Sequence, residues 1–176
     1  MTGWATWGLF LAWLLHDIEE LITMPGWGGR NLTRLSRIYP SAPAWLWSRL
    51  NMSRGHVNVA ITIMGIFMLA AAIDGERSAG TSWFYQAVLI GFGLHGFSHL
   101  AMSALARSYT PGVVTAPIIV IPFSLWAWRT LEQAGAVSAG TSNLFIALAL
   151  LPAVLLGAHA LTAALLSALR AFSRPS

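Results

Sequence analysis

The sequence contains no cysteine and no lysine, and only 16 of its 176 residues are charged. Without cysteine the chain forms no disulfide, no zinc–thiolate site and no iron–sulfur cluster, so a bound metal must use histidine, aspartate or glutamate. Charged residues make up 9% of the chain and hydrophobic residues 56%, whereas soluble domains carry ~25% charged residues. This balance excludes an ordinary water-soluble protein and predicts an integral membrane protein.

All ten basic residues are arginines, and the formal net charge is +4. They cluster between apolar segments, where they fit anionic lipid headgroups better than the backbone of a nucleic acid. We therefore expect the lipid bilayer as a partner and no nucleic acid.

Five apolar segments predict an all-α, polytopic membrane helical bundle that forms a single integral membrane domain over residues 1–176. Each segment is long enough to cross a hydrocarbon core of ~30 Å at ~1.5 Å per residue. No signal-peptide features precede the first segment, so we expect it to remain as a helix. The segments are Trp4 to Thr23, His56 to Ile73, Trp83 to Ala106, Val113 to Glu132 and Thr141 to Arg170.

The long connection from Met24 to Gly55 differs from the other, shorter connections. Its second half contains Pro43 near a helix start, together with Trp45 and Trp47, which predicts an interfacial helix lying on the membrane. Pro117, Pro122 and Pro152 are expected to kink the last two transmembrane helices.

The arginines also predict an orientation in the inner (plasma) membrane. Two arginines, Arg77 and Arg129, lie on one side of the five predicted spans, and the other eight lie on the opposite side. The positive-inside rule then places the N-terminus outside and the C-terminus in the cytoplasm.

Ionisable residues inside the predicted spans are the main functional signal, since each costs ~2.5 to 3.5 kcal/mol to insert. The first span contains His16, Glu19 and Glu20, and at ~100° per residue the two carboxylates flank His16 on one face. Two adjacent buried carboxylates require a compensating cation. The alternative is a membrane-surface role in which Glu20 pairs with Arg30 or Arg34.

The remaining histidines lie in the other helices. His95 and His99 are four residues apart on the third span, a spacing that can present two imidazoles to one metal ion. His56 begins the second span and His159 lies in the fifth. With the predicted orientation, all five histidines and both glutamates belong to the cytoplasmic half of the bundle.

The run from His16 to Glu20, a further histidine and Tyr109-Thr110-Pro111-Gly112 together resemble the HXXEE family of integral membrane proteins. That resemblance covers most of the chain and implies the HxxEE motif, another histidine and a YxPG motif as hallmarks, without implying an activity. Pro111 at the second position also predicts a turn that closes the third helix, with Tyr109 either reaching the polar cluster or anchoring at the interface.

These groups lead to the hypothesis of a membrane metal-dependent enzyme that acts on a lipid or another hydrophobic small molecule. Mixed imidazole and carboxylate ligands suit transition metal ions, with iron or zinc favoured and one or two ions per chain. We favour an oxidative, dinuclear centre in which Glu19 or Glu20 bridges the metals. The candidate ligands are His16, Glu19, Glu20, His56, His95, His99 and His159.

Three alternatives remain open. A zinc hydrolase would use His16, His95 and His99 as ligands and Glu19 or Glu20 as the catalytic base. A proton or metal-ion transporter would also place such groups in the membrane, although so small a chain would need to form a homo-oligomer. A haem-binding electron carrier would use His95 or His99 together with His159.

Overall fold

The computed structural model describes residues 2–137 and 142–172, and within these ranges the regular structure is entirely helical. The all-helical prediction is confirmed for this part of the chain. The α-helices are α1 (Thr2–Thr23), α2 (Trp27–Ile38), α3 (Ala44–Arg49), α4 (Arg54–Arg77), α5 (Trp83–Ala106), α6 (Ile121–Gln133) and α7 (Ser142–Phe172), and a π-helical segment (Ala116–Val120) precedes α6.

Within the described residues, three helical stretches are long and apolar enough to cross a membrane, namely Arg54–Arg77, Trp83–Ala106 and Phe145–Arg170. They correspond to the second, third and fifth predicted spans. The third predicted span has the same bounds as α5, whereas α4 begins two residues earlier than predicted. Its start is set by Ser53, whose side chain accepts a hydrogen bond from the backbone N–H of His56 and so caps the helix.

The helix α5 lies at the centre of the packing and contacts α4, α6, α7 and the π-helical segment. The helix α1 packs against α4 on one side and against α6 on the other. Gly96 allows α5 to approach the π-helical segment, because a Cβ there would lie 2.9 Å from side-chain atoms of Val120 and Ile121. Close packing thus brings α1, α5 and the start of the fourth predicted span together.

The connection between α1 and α4 contains two helices, one more than predicted. The predicted second half forms the six-residue α3, and the first half forms the longer α2. Arg30 on α2 donates hydrogen bonds to the carbonyl oxygens of Thr23 and Pro25, and Arg34 donates to that of Ala106. These arginines therefore satisfy carbonyl groups at the ends of α1 and α5.

The fourth predicted span is helical from Ala116 to Gln133 but begins with the π-helical turn. Pro117 lies in this turn and has no N–H, and the N–H of Ile121 reaches back to the carbonyl of Ala116. The kink expected at Pro117 stays a prediction, and the structure has a widened helical turn at this position. Pro152 lies inside α7.

Candidate metal centre

Four of the seven predicted ligands meet where α1 and α5 pack together. His16, Glu20, His95 and His99 each offer one ligand atom, and these atoms lie within 4.8 Å of one another. We call these four residues the His/Glu cluster. His16, Glu20 and His99 are buried, and His95 is partly buried.

The hydrogen bonds of His16 determine which of its nitrogens faces the cluster. Its Nδ1 lies 2.7 Å from the hydroxyl of Thr115, and that hydroxyl lies 2.6 Å from a carboxylate oxygen of Glu19. Since the hydroxyl donates its one proton to the carboxylate, it accepts from His16, and Nδ1 carries the ring proton. The opposite nitrogen, Nε2, then presents a lone pair, and it is buried without a hydrogen-bond partner among the described residues.

His99 is held in the same way. Its Nδ1 lies 2.8 Å from the carbonyl oxygen of Pro111, which can only accept, so Nδ1 again carries the proton. The Nε2 atom of His99 lies 2.8 Å from Nε2 of His95 and 3.4 Å from a carboxylate oxygen of Glu20. Ligand atoms of a tetrahedral zinc site lie about 3.3 Å apart, given metal–nitrogen distances of about 2.0 to 2.1 Å.

Glu19 lies outside the His/Glu cluster and supports it from the other side. Its carboxylate accepts hydrogen bonds from the Tyr109 hydroxyl at 2.7 Å and from the backbone N–H groups of Val114 and Thr115. Burial raises the pKa of Tyr109 above its usual value, which keeps the hydroxyl protonated as a donor. The Thr115 hydroxyl donates a fourth hydrogen bond, so both carboxylate oxygens of Glu19 accept hydrogen bonds.

The turn after α5 packs closely against the rings of His16 and His99. Gly112 has a φ of 80°, and a Cβ at this position would lie 2.5 Å from the ring of His99 and 2.9 Å from the ring of His16. Each part of the predicted YxPG turn thus acts on the site: Tyr109 binds Glu19, Pro111 orients His99, and Gly112 leaves room for both rings.

His56 and His159 form a separate pair between α4 and α7. Nε2 of His56 lies 2.9 Å from Nδ1 of His159, and the two rings stack with their centroids 5.2 Å apart. The seven predicted ligands are therefore found in three places: the His/Glu cluster, the Glu19 network and this pair.

A cavity of about 90 Å³ lies beside the His/Glu cluster, between α1, α4, α5 and α7. Glu20 and His95 belong both to the cluster and to the cavity wall, and Asp17 and His159 also line it. The rest of the lining is apolar, and we call this space the central cavity. Its lining residues are Trp13, Asp17, Glu20, Met24, Val57, Ala60, Ile61, Met64, Phe67, Met68, Ala87, Val88, Gly91, Phe92, His95, Leu150, Val154, Leu155, Ala158 and His159.

The donor set of the His/Glu cluster fits a divalent transition metal ion. Two imidazoles present lone pairs whose direction is fixed by hydrogen bonds at the opposite ring nitrogen, an arrangement common to metal-binding histidines. The buried and unpartnered Nε2 of His16 is the atom that most needs a cation nearby. Three neutral nitrogens and one carboxylate favour zinc or iron.

Comparison with known protein families identified a match over most of the chain. The family model described as "Protein of unknown function with HXXEE motif" matches residues 7–127. This range includes the His/Glu cluster, Glu19 and the turn around Gly112, and it ends before His159. Neither the curated proteins nor the solved structures gave a match.

Proposed function

We propose that this chain, which belongs to the family of proteins of unknown function with an HXXEE motif, is a membrane metalloenzyme that hydrolyses a hydrophobic substrate. His16, His95 and His99 would hold one transition metal ion, and Glu20 would serve as the base. The observation that carries the proposal is the pair of Nε2 lone pairs that Thr115 and Pro111 direct into the cluster through His16 and His99.

A single-metal site suits the geometry better than the dinuclear centre considered from the sequence. The ligand atoms of His16, His95 and His99 and the Glu20 carboxylate lie within 4.8 Å of one another, which is room for one ion held by the three imidazoles with the carboxylate beside it. Glu19 already has four hydrogen-bond donors, and His56 and His159 bind each other. One ion held by three imidazoles, with a carboxylate as the base, is sufficient for hydrolysis.

In this hydrolysis, the imidazoles would hold the ion and Glu20 would transfer the proton. A bound ion would polarise the substrate carbonyl. Glu20 borders both the cluster and the central cavity, so it can take a proton from the attacking water and return it to the leaving oxygen or nitrogen. One ester or amide bond breaks, one water is consumed, and the products are an acid and an alcohol or amine.

We also propose that all five long helical segments span the bilayer, with the cluster in its cytoplasmic half. Two of the five segments, α1 and the segment 116–133, are not among the three helices named above as apolar enough to span. The exposed side chains on these two segments support the arrangement. On α1, Leu11, Leu15 and Ile22 are exposed, and in the fourth segment Ile118 and Leu125 are exposed. Apolar side chains on the outside of a bundle are expected where lipid surrounds it.

Elemental analysis of gently purified protein, together with variants, tests the metal site. We expect one equivalent of zinc in the unmodified protein. His16→Ala and His99→Ala should each lower the affinity for the metal by about tenfold or more, because each removes one ligand. His159→Ala is the matched control, because it removes a histidine outside the cluster. Circular dichroism checks that the helices remain.

Three results would count against the proposal. Less than one equivalent of any transition metal, with thermal stability unaffected by a chelator, would remove its basis. Iron in place of zinc would favour oxidative chemistry. Equal loss of metal in His159→Ala and His16→Ala would favour a dinuclear centre.

A further inference from the structure

Another pocket lies at the end of the bundle where α1 ends, between α1, α2 and the turn after α5. Its volume is about 420 Å³, within the range of ~300 to 1,000 Å³ that is typical of small-molecule sites. Arg30 and Asn31 of α2 line one side, and Ser108 and Tyr109 of the turn line another. We call this space the arginine pocket.

The position of the arginine pocket relative to α5 places it at the membrane surface. The helix α5 is one of the three stretches that are apolar enough to span a membrane, and it ends at Ala106. Ser108 and Tyr109 come shortly after this end, so the pocket lies where the span leaves the hydrocarbon core. The headgroups of lipids occupy this level of a bilayer.

The charge around the arginine pocket favours an anionic ligand. Residues 21–73 include five arginines and no aspartate or glutamate. The side chain of Arg30 is exposed and uses two of its five N–H groups for backbone carbonyls. The other N–H groups can donate to phosphate oxygens. Glu19, which is bonded to Tyr109 beside the pocket, already accepts four hydrogen bonds and so does not need Arg30 as a partner.

An apolar stripe on α1 leads to the arginine pocket. Leu11, Leu15, Ile18 and Ile22 recur every three or four residues, so they share one face of the helix, and all four are exposed. Ile22 also lines the pocket. The stripe is ~16 Å long at the rise of an α-helix, about half of a hydrocarbon core of ~30 Å. A ligand with a phosphate in the pocket can therefore extend an acyl chain along the stripe within one leaflet.

We infer that the arginine pocket binds the headgroup phosphate of an anionic phospholipid, with an acyl chain against the stripe on α1. The pocket itself has to hold only the headgroup. A phosphatidylglycerol headgroup suits it, because no cation in that headgroup balances the phosphate. A choline headgroup would bring a quaternary ammonium close to Arg30 and to Arg34, which contacts Asn31 and Ser108. This inference concerns a bound lipid and does not depend on the proposed hydrolysis.

Native mass spectrometry of the purified protein in detergent tests the preference for an anionic headgroup. Dioleoyl phosphatidylglycerol is compared with dioleoyl phosphatidylcholine, which has the same acyl chains. We expect the anionic lipid to bind at least about fivefold more tightly. Equal binding of the two lipids would overturn the inference. Glycerol phosphate binding as tightly as phosphatidylglycerol would also overturn it, because the site would then belong to a free phosphate compound.

Substitution of Arg30 tests the site. Arg30→Gln should lower the affinity for dioleoyl phosphatidylglycerol by about fivefold, equivalent to ~1 kcal/mol. Arg129→Gln is the matched control and should leave this affinity unchanged. Arg129 is exposed and lies toward the opposite end of the bundle, since α6 ends beside the start of α1. Equal losses in the two variants would show that the net charge of the protein, and not this pocket, sets the affinity.

Arg30 also bonds to backbone carbonyls, so a second variant that keeps these bonds is needed. Asn31→Asp adds a negative charge to the pocket and retains the oxygen that accepts from Arg34. It should lower the affinity for phosphatidylglycerol by about fivefold and leave that for phosphatidylcholine unchanged. Gln133→Glu makes the same exchange at an exposed position at the end of α6 and should change neither affinity. An unchanged affinity for phosphatidylglycerol in Asn31→Asp would refute the site even if Arg30→Gln did not fold.

Discussion

At the scale of single residues, Thr115 links His16 to Glu19, the first of the two glutamates in the HxxEE run. Its hydroxyl accepts from His16 and donates to Glu19, so a carboxylate outside the cluster fixes the ring of a residue inside it. Glu20 faces the cluster directly. The two adjacent glutamates therefore have different tasks, one orienting a ligand and the other facing the central cavity.

Replacement of Thr115 by valine should weaken metal binding without removing a ligand. Valine has nearly the same shape but leaves Nδ1 of His16 without its partner, so we expect an affinity lower by ~10-fold to 100-fold. Metal titration with a competing chelator measures this change.

Thr110→Val is the matched control for Thr115→Val. Thr110 lies in the same turn and is buried, but its hydroxyl has no hydrogen-bond partner among the described residues. The control should keep the affinity of the unmodified protein. Equal affinities in the two variants would show that Thr115 does not orient His16.

The sequence predicts the flanking positions of Glu19 and Glu20 around His16, because these follow from the helical repeat. It does not predict their different partners. Thr115 is separated from His16 by 99 positions in the chain, and only the packing of α1 against the fourth segment brings them together. Asp17 is buried in the wall of the central cavity, which follows from the packing of α1 beside α4, α5 and α7 and not from the helical repeat.

At the scale of elements, the turn between α5 and the π-helical segment acts as part of the site. Gly112→Ala should lower the free energy of unfolding and also weaken metal binding. Alanine at a positive φ costs about 1 to 2 kcal/mol, and its Cβ would push the rings of His99 and His16 apart.

Gly135→Ala separates these two effects. Gly135 has a φ of 68°, and a Cβ there would meet no atom within 4 Å. Both variants should lose stability in thermal unfolding, Gly112→Ala more because its Cβ also meets the two rings, but only Gly112→Ala should lose metal affinity. An unchanged affinity in Gly112→Ala would mean that the rings can move away without effect on the site.

Helix bounds were predictable where the apolar pattern is continuous and capped, as in α5, whose start is capped by Ser82. The helix α2 was missed because its first residues include Gly28 and Gly29, which disfavour a helix. Its position depends on contacts distant in sequence, such as the bond from Arg34 to the carbonyl of Ala106. Such contacts are not visible in a single sequence.

At the scale of the whole molecule, the apolar side chains on the outside are as informative as those in the core. Large hydrophobic residues such as Ile66, Phe97 and Leu156 are exposed on the three most apolar helices, where a soluble protein would carry charge. This pattern supports membrane association for α4, α5 and α7. The number of spans and their orientation depend on α1 and on the segment 116–133.

Single cysteine variants can count the spans, because the chain has no cysteine of its own and so gives no background. We choose three exposed positions: Ser36 on α2, Ala134 after α6 and Phe172 at the end of α7. In intact cells, a membrane-impermeant thiol reagent should label Ala134→Cys alone. Ser36→Cys and Phe172→Cys should react only after the membrane is opened, because the predicted orientation places both in the cytoplasm.

A molecule with only the three most apolar helices in the membrane would give a different pattern. The segment 116–133 would not cross, so Ala134→Cys would lie on the same side as Ser36→Cys, and Phe172→Cys would lie on the opposite side. Labelling of Phe172→Cys alone would therefore exclude five spans. Labelling of Ser36→Cys and Phe172→Cys without Ala134→Cys would keep five spans but invert them, and the His/Glu cluster would then lie in the outer half of the bilayer.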